Sequence, residues 1–182
     1  MDQFLSSIAA SFIGSFFGFG FAIVLFLLKE KVSERKKETT LIMKLLDELE
    51  YNIRILKVEL NMFQDRFKQT LSDESFSPPE AITENIIRTF IDRSFDTGVI
   101  NSYLGTFERG NLIFIFKHIR WIDNAQNQLF GGSKREKGFL RSDLGLELSE
   151  KILENFSGSI ECFKNISNII SLKLQERKSH FC

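Results

Sequence analysis

The chain has 182 residues, of which 43% are hydrophobic and 26% are charged, and its 24 basic side chains balance its 24 acidic ones. That apolar content suits a packed core, whereas a formal charge of zero gives no global field to attract nucleic acid, and no nucleic-acid partner is expected. Two cysteines, Cys162 and Cys182, are too few for a disulfide scaffold.

The first predicted element is a helix in an uncharged, strongly apolar run. Residues 4–28 contain no charged side chain and no histidine, and at about 1.5 Å per residue a helix of this length reaches roughly 37 Å. Because a bilayer's hydrocarbon core is about 30 Å thick, the run predicts a transmembrane anchor over residues 1–28. A cleaved signal peptide is the alternative, but it needs a basic start, a shorter apolar core and small residues at the cleavage site.

Positive charge follows this run and does not precede it. Because Lys and Arg near a span stay on the cytoplasmic side, we expect a short N-terminus outside and a C-terminal domain in the cytoplasm, at the cell (inner) membrane. Residues 29–40 are then a basic juxtamembrane stalk, and the lipid bilayer is the first predicted partner. The basic residues are Lys29, Lys31, Arg35, Lys36 and Lys37.

Small residues recur every four positions within the run and therefore share one helix face. In lipid, close backbone approach along such a face is a main source of helix association, and the central G-x-x-x-G is a dimer-type motif. Glycine, alanine and serine are also simply common in membrane helices. We expect the face to pack helices together in a homo-oligomer, and its residues are Ala10, Gly14, Gly18 and Ala22.

A long second helical stretch is predicted after the anchor, since residues 29–71 contain neither glycine nor proline. Its apolar residues alternate three and four apart, which is the spacing of a coiled-coil seam. Extra apolar residues at 41, 45, 55 and 62 widen that seam and favour the core of a bundle over a free-standing coiled coil. The seam residues are Leu46, Leu49, Ile53, Leu56, Leu60, Phe63 and Phe67.

Three further helices are predicted downstream. The first is capped by Ser77 and ends near Arg93 to Phe95, and a turn and a short helical segment follow it. The second covers about 108–130, although the five apolar residues 112–116 could also form a buried strand. The third covers about 144–177, with Gly158 as a kink or close-packing point.

Taken together, these elements predict an all-α protein: a single N-terminal transmembrane helix followed by a cytoplasmic antiparallel helical bundle with long helices. The predicted segments are 1–28 for the anchor, 29–40 for the stalk and 41–182 for the bundle.

The sequence offers no motif for catalysis, for a cofactor or for a metal. The segment 131–134 resembles a phosphate loop but lacks the required glycine spacing and the preceding strand. Of the two histidines, His118 fits the solvent edge of a helix and His180 fits a terminal tail. We therefore expect no enzyme, no cofactor and no metal site.

A basic loop is the one candidate for contact with an anionic ligand or a partner. Its alternative is a merely solubilising role, and its residues are Lys134, Arg135, Lys137 and Arg141.

Polar residues within the predicted helices suggest structural roles. The carboxylates Asp47, Glu48 and Glu50 are expected on a solvated face. One or two of the helical asparagines are expected to be buried, where they would specify register or helix pairing rather than perform chemistry. The asparagines are Asn52, Asn101, Asn124, Asn127, Asn165 and Asn168.

Two functions fit these features. The first is an oligomeric interaction, scaffold or sensor module, anchored in the membrane and binding a cytoplasmic protein partner. The alternative is a membrane-permeabilising effector of the antiphage-defence or toxin type, whose transmembrane helices self-associate under control of the bundle.

Overall fold

The computed structural model describes residues 2–72, 81–130, 139 and 142–179, with the side chains of residues 2–13, 70, 71 and 178 outside the description. Over these ranges every regular element is a helix, which confirms the all-α prediction. The elements are α1 (Asp2–Leu71), α2 (Ile82–Asn85), α3 (Thr89–Asp96), a 3-10 helix (Val99–Ser102), α4 (Thr106–Phe130) and α5 (Asp143–Ser179).

The chain divides into two compact units. The N-terminal unit comprises Met1–Thr40, and the core unit comprises Leu41–Cys182. The described side chains of the N-terminal unit are almost all exposed, and the hydrophobic core belongs to the core unit.

The buried stripe of α1 inside the core unit follows a strict three-four spacing. Its members are nearly inaccessible to solvent, which confirms the prediction that this part of α1 is a helix in the core of a bundle. The register differs from the predicted one, because two polar residues occupy stripe positions and the stripe begins at Ile42. Met62, predicted to widen the seam, is instead 41% exposed. The stripe residues are Ile42, Leu45, Leu49, Asn52, Leu56, Glu59 and Phe63.

Aromatic contacts define how the long helices of the core unit pack. The Phe63 ring lies 5.8 Å from that of Phe130, at the end of α4, and 6.2 Å from that of Phe156, in the first half of α5. Phe116, in the middle of α4, lies 6.0 Å from Phe163, further along α5. Moving backwards along α4 therefore corresponds to moving forwards along α5, so these two helices run antiparallel.

The predicted single helix from Ser77 to about Phe95 is wrong. Its proposed start lies outside the described residues, and the described part consists of α2 and α3 separated by a non-helical break. Ile86 is extended there (φ −82°, ψ 126°), and Arg88 also leaves helical geometry (φ −129°, ψ 7°). Side chains from other helices stabilise this break, as described below, and local spacing does not reveal them.

The other two helices agree with the prediction in their extent. Residues 112–116 are helical, and Ile113 and Phe114 of this apolar run are more than half exposed, which excludes the alternative of a buried strand. Gly158 is not a close-packing point, because a Cβ added there would meet no atom within 4 Å. The apolar face predicted for the last helix is buried from Ile152 to Leu174.

Candidate functional site

The described part of the apolar run, residues 14–28, exposes large apolar side chains around the whole circumference of α1. Phe16 and Phe17 project about 100° apart around the helix axis, yet they are 74% and 71% exposed. Phe19 and Phe21 are 69% and 66% exposed. A helix on the surface of a globular protein has one apolar face, whereas a helix that is apolar all round requires an apolar environment on every side.

Within the described ranges, no helix is both long and apolar enough to cross a bilayer.

The predicted small-residue face is open along its described length. A Cβ added at Gly14 or at Gly18 would meet no atom within 4 Å, and Ala22 is exposed. The side chain of Ala10 lies outside the described residues. No described atom occupies the face at Gly14 or Gly18, and the role of the face in packing two helices stays a prediction.

The basic side chains that directly follow the apolar run on α1 form what we call the basic collar: Lys29, Lys31, Arg35, Lys36 and Lys37. Its five basic side chains are all exposed, and three glutamates, Glu30, Glu34 and Glu38, lie among them. Five positive and three negative charges leave a net charge of +2 over residues 29–38. An excess of positive charge beside an apolar helix is complementary to anionic lipid headgroups.

The predicted basic loop belongs to the part of the chain that the structure does not describe. Lys134, Arg135, Lys137 and Arg141 lie outside the described residues, as do the 131–134 segment, His180 and Cys182. Their proposed roles stay predictions.

Three of the buried polar side chains in the core unit form a group that we call the polar clamp: Glu48, Asn52 and Asp123. All three contact backbone groups of the segment Ile82–Ile91. The carboxylate of Asp123, on α4, accepts hydrogen bonds from the N–H groups of Ile82 (2.7 Å) and Thr83 (3.0 Å), the first residues of α2. These N–H groups have no partner within their own helix.

Asn52 holds the break between α2 and α3. Its Oδ1 accepts a hydrogen bond from the Ile87 N–H at 2.9 Å, and its Nδ2 donates one to the Ile87 carbonyl at 2.7 Å. One side-chain amide thus satisfies both backbone groups of a residue that lies outside a helix, and Asn52 itself is fully buried. The prediction of a buried asparagine is confirmed for Asn52. Its partner is the non-helical residue Ile87, and a role in helix pairing or register stays a prediction.

Glu48 lies one helical turn before Asn52 and caps α3. Its two carboxylate oxygens accept hydrogen bonds from the N–H groups of Phe90 (2.8 Å) and Ile91 (2.9 Å). A negative charge at a helix N-terminus is also favoured by the helix dipole. The expectation of a solvated face is therefore wrong for Glu48, which is 5% exposed, whereas Asp47 and Glu50 are exposed.

The polar clamp joins α1 and α4 to the segment Ile82–Ile91. In the described hydrogen bonds, the carboxylates of Glu48 and Asp123 bind backbone N–H groups and no basic side chain. Each carboxylate or amide oxygen of the clamp accepts one backbone hydrogen bond, so these side chains hold backbone groups of residues 82–91 in place. One sequence signal could have identified Asn52: it takes a position in the three-four series of buried α1 residues, where a polar residue selects a specific partner.

A shallow groove of about 310 Å³ separates α4 from α5. Ser159 lies in it and is 1% exposed, and its hydroxyl has no hydrogen-bond partner within the described residues. Burial raises the pKa of the neighbouring Cys162 thiol, and the charge of Glu161 raises it further, so this thiol is a poor nucleophile. The lining residues are Asn111, Phe114, Ile115, His118, Glu154, Asn155, Gly158, Ser159 and Cys162.

The residues of this groove do not assemble a metal site. Over the described ranges, no group of three or more His, Cys, Asp or Glu side chains could hold a metal ion. His118 packs edge-on against Phe114, with ring centroids 5.0 Å apart, and is partly exposed, as expected for the edge of an amphipathic helix.

Comparison with known proteins gives no relative: the chain matches no protein-family model, no curated protein and no solved structure.

Proposed function

We propose that this chain is a single-pass membrane-anchored helical protein whose core unit serves as an oligomeric interaction, scaffold or sensor module at the cytoplasmic face. The observation that carries the proposal is the all-round exposure of phenylalanine, leucine, isoleucine and valine over residues 14–28, with the basic collar directly after it. In the sequence the same uncharged run extends back to residue 4, which gives it the length of about 20 residues or more that a span requires.

The free energy of removing apolar side chains from water favours lipid around this segment. A single phenylalanine transferred from water to an apolar environment gains about 2 kcal/mol, and residues 14–28 contain five phenylalanines. Leaving all of them in water would cost an amount comparable to the whole stability of a typical domain, about 5–15 kcal/mol. A bilayer removes this cost along the full circumference of the helix.

Orientation in the proposal follows from the collar. Each lysine or arginine near an anionic leaflet gains about 1 kcal/mol, and basic residues near a span are retained on the cytoplasmic side. The core unit, which follows the collar in sequence, would then lie in the cytoplasm and contact a protein partner there.

The test of assembly is the double substitution of Gly14 and Gly18 by leucine. We expect crosslinked oligomers of the full chain in membranes to decrease at least several-fold, because added bulk prevents close backbone approach. The chain should stay in the membrane fraction after carbonate extraction, since leucine is more apolar than glycine. Leucine at Gly20, which lies outside the small-residue face, is the matched control and should leave the oligomers unchanged.

Dye release from liposomes separates the proposed function from the alternative. An anchored scaffold leaves vesicles intact, whereas a membrane-permeabilising effector releases dye, and the Gly14→Leu/Gly18→Leu chain would lose that release. The open small-residue face is the feature that both functions share. Dye release by the wild-type chain would contradict the scaffold function and support the membrane-permeabilising effector. Oligomers that persist in the double variant would contradict the proposal that the small-residue face packs the helices together.

A further inference from the structure

The exposed side of α4 is unusually apolar for a helix whose opposite side is already buried in the core. Phe107 and Phe114 are 76% and 54% exposed, and Trp121 is 38% exposed. A surface helix normally carries polar residues opposite its buried face, so these side chains indicate a second apolar contact. We call the exposed residues of this stretch the outer face of α4: Phe107, Gly110, Ile113, Phe114, Lys117, Arg120, Trp121 and Asn124.

The outer face carries positive charge and no carboxylate. Its charged residues are Lys117 and Arg120. The two acidic residues of the same stretch lie elsewhere, because Glu108 is partly buried and Asp123 belongs to the polar clamp. The Lys117 ammonium lies 5.4 Å from the centre of the Phe114 ring, so positive charge and aromatic surface occur within one helical turn.

The neighbouring helices carry charges of both signs. Arg88, which directly precedes α3, lies over the Phe116 ring of α4 and is paired with Asp92. Across the groove, the stretch of α5 from 151 to 164 exposes two basic and two acidic side chains. The excess of positive charge therefore comes from α4 itself. The four α5 residues are Lys151, Glu154, Glu161 and Lys164.

We propose that the outer face of α4 binds the surface of a bilayer that contains anionic lipid. Phe107, Phe114 and Trp121 enter the boundary between headgroups and acyl chains, and Lys117 and Arg120 stay at the level of the phosphates. Tryptophan is favoured at this depth, because its ring is apolar while its N–H can still donate a hydrogen bond.

Charge selects this partner over a second copy of the chain. Two outer faces packed together would bring the cations of both copies, Lys117 and Arg120, to one interface that contains no carboxylate. Anionic headgroups attract each of these side chains, and the bilayer gives the aromatic rings an apolar environment. The inference goes beyond the proposed function, because it gives the core unit a lipid contact that does not require the transmembrane anchor.

Trp121 provides the test, because it is the single tryptophan of the chain and lies on the outer face. The full chain is reconstituted into liposomes of brominated phosphatidylcholine, alone or mixed with phosphatidylglycerol at the same bromine content. Bromine quenches a tryptophan that touches the acyl chains. We expect quenching with blue-shifted emission in the anionic liposomes, at least about threefold stronger than in the neutral ones. Added salt should remove most of this difference.

Charge reversal separates a lipid contact from an effect on folding. Lys117→Glu together with Arg120→Glu should lower quenching in anionic liposomes about tenfold, because two attractions become repulsions. Exchanging the two cations, Lys117→Arg with Arg120→Lys, keeps the charge and should quench as wild type does. The matched control, Arg54→Glu with Lys57→Glu on exposed positions of α1, makes the same change of net charge and should leave quenching unchanged. Phe107→Ala removes an exposed ring and should weaken quenching several-fold.

Carbonate extraction of the same liposomes reports on the anchor separately. A failed anchor appears as release of the chain by carbonate, whereas a failed α4 contact appears as unquenched Trp121 in a chain that stays in the pellet. Absence of quenching in anionic liposomes overturns the proposal and leaves the outer face to an acidic protein segment. Quenching of equal strength in neutral liposomes, or quenching that the charge reversal does not change, overturns it as well.

Discussion

Replacing Phe63 by alanine is expected to lower the free energy of unfolding of the core unit by about 4 kcal/mol. Phe63 is 1% exposed, and its ring contacts those of Phe67, Phe130 and Phe156. It is therefore the position where α1, α4 and α5 meet, and truncation removes apolar contacts while leaving a cavity that rigid helices fill poorly.

The single tryptophan of the chain, Trp121 on α4, provides the readout for this prediction. Urea unfolding of the full chain in detergent is followed by its fluorescence. Phe63→Leu should cost clearly less than Phe63→Ala, because it keeps most of the volume. Phe107→Ala is the control on an exposed phenylalanine and should change the free energy of unfolding by less than about 0.5 kcal/mol. Equal losses for Phe63→Ala and Phe107→Ala would contradict the described core.

Replacing Asn52 by alanine is expected to cost about 3 kcal/mol, although the substitution is from a polar to an apolar residue at a buried site. Alanine leaves both the N–H and the carbonyl of Ile87 without the partners they have at 2.9 and 2.7 Å. Each buried backbone group left unsatisfied costs about 1–3 kcal/mol. The expected loss of stability is therefore larger than the stability that alanine gains through its higher helix propensity.

The matched control for this substitution is Asn165→Ala, because Asn165 is an exposed helical asparagine on α5. It should be neutral or slightly stabilising, since alanine has the higher helix propensity. Hydrogen exchange at the Ile87 amide provides a local readout, and we expect faster exchange in Asn52→Ala. If Asn52→Ala is as stable as wild type and Ile87 stays protected, the polar clamp does not hold the break between α2 and α3.

The apolar pattern of the sequence predicted much of the core unit. Burial at Leu49, Leu56 and Phe63 in α1 follows from three-four spacing, and the buried face of α5 follows in the same way. These predictions succeed because helical periodicity is a local property, and the packing of long helices only selects which face is buried.

The predictions that were wrong concern residues whose environment depends on contacts between distant segments. Glu48 was predicted to be solvated, and only the approach of the Phe90 and Ile91 N–H groups, more than 40 residues away, makes its burial favourable. The break at Ile87 was missed for the same reason, since Asn52 and Asp123 replace the hydrogen bonds that a continuous helix would have made. Asn52 and Glu59 also concealed the true register of the buried stripe.

The membrane proposal depends on the sequence of residues 4–28 and on the exposure of the described part of that run. It makes a definite statement about topology: residues before the run lie outside, and the core unit lies in the cytoplasm. Gln3 and Lys57 stand on the two sides of the proposed span and can each be replaced by cysteine. Serine at Cys162 and Cys182 removes the native thiols.

The decisive measurement is the labelling of these two single-cysteine chains by a membrane-impermeant thiol reagent in intact bacterial cells. The proposal predicts that Gln3→Cys is labelled, and that Lys57→Cys is labelled only after the membrane is permeabilised. Labelling of both cysteines only after permeabilisation, with the chain released from membranes by carbonate, would show that the apolar run does not cross the bilayer.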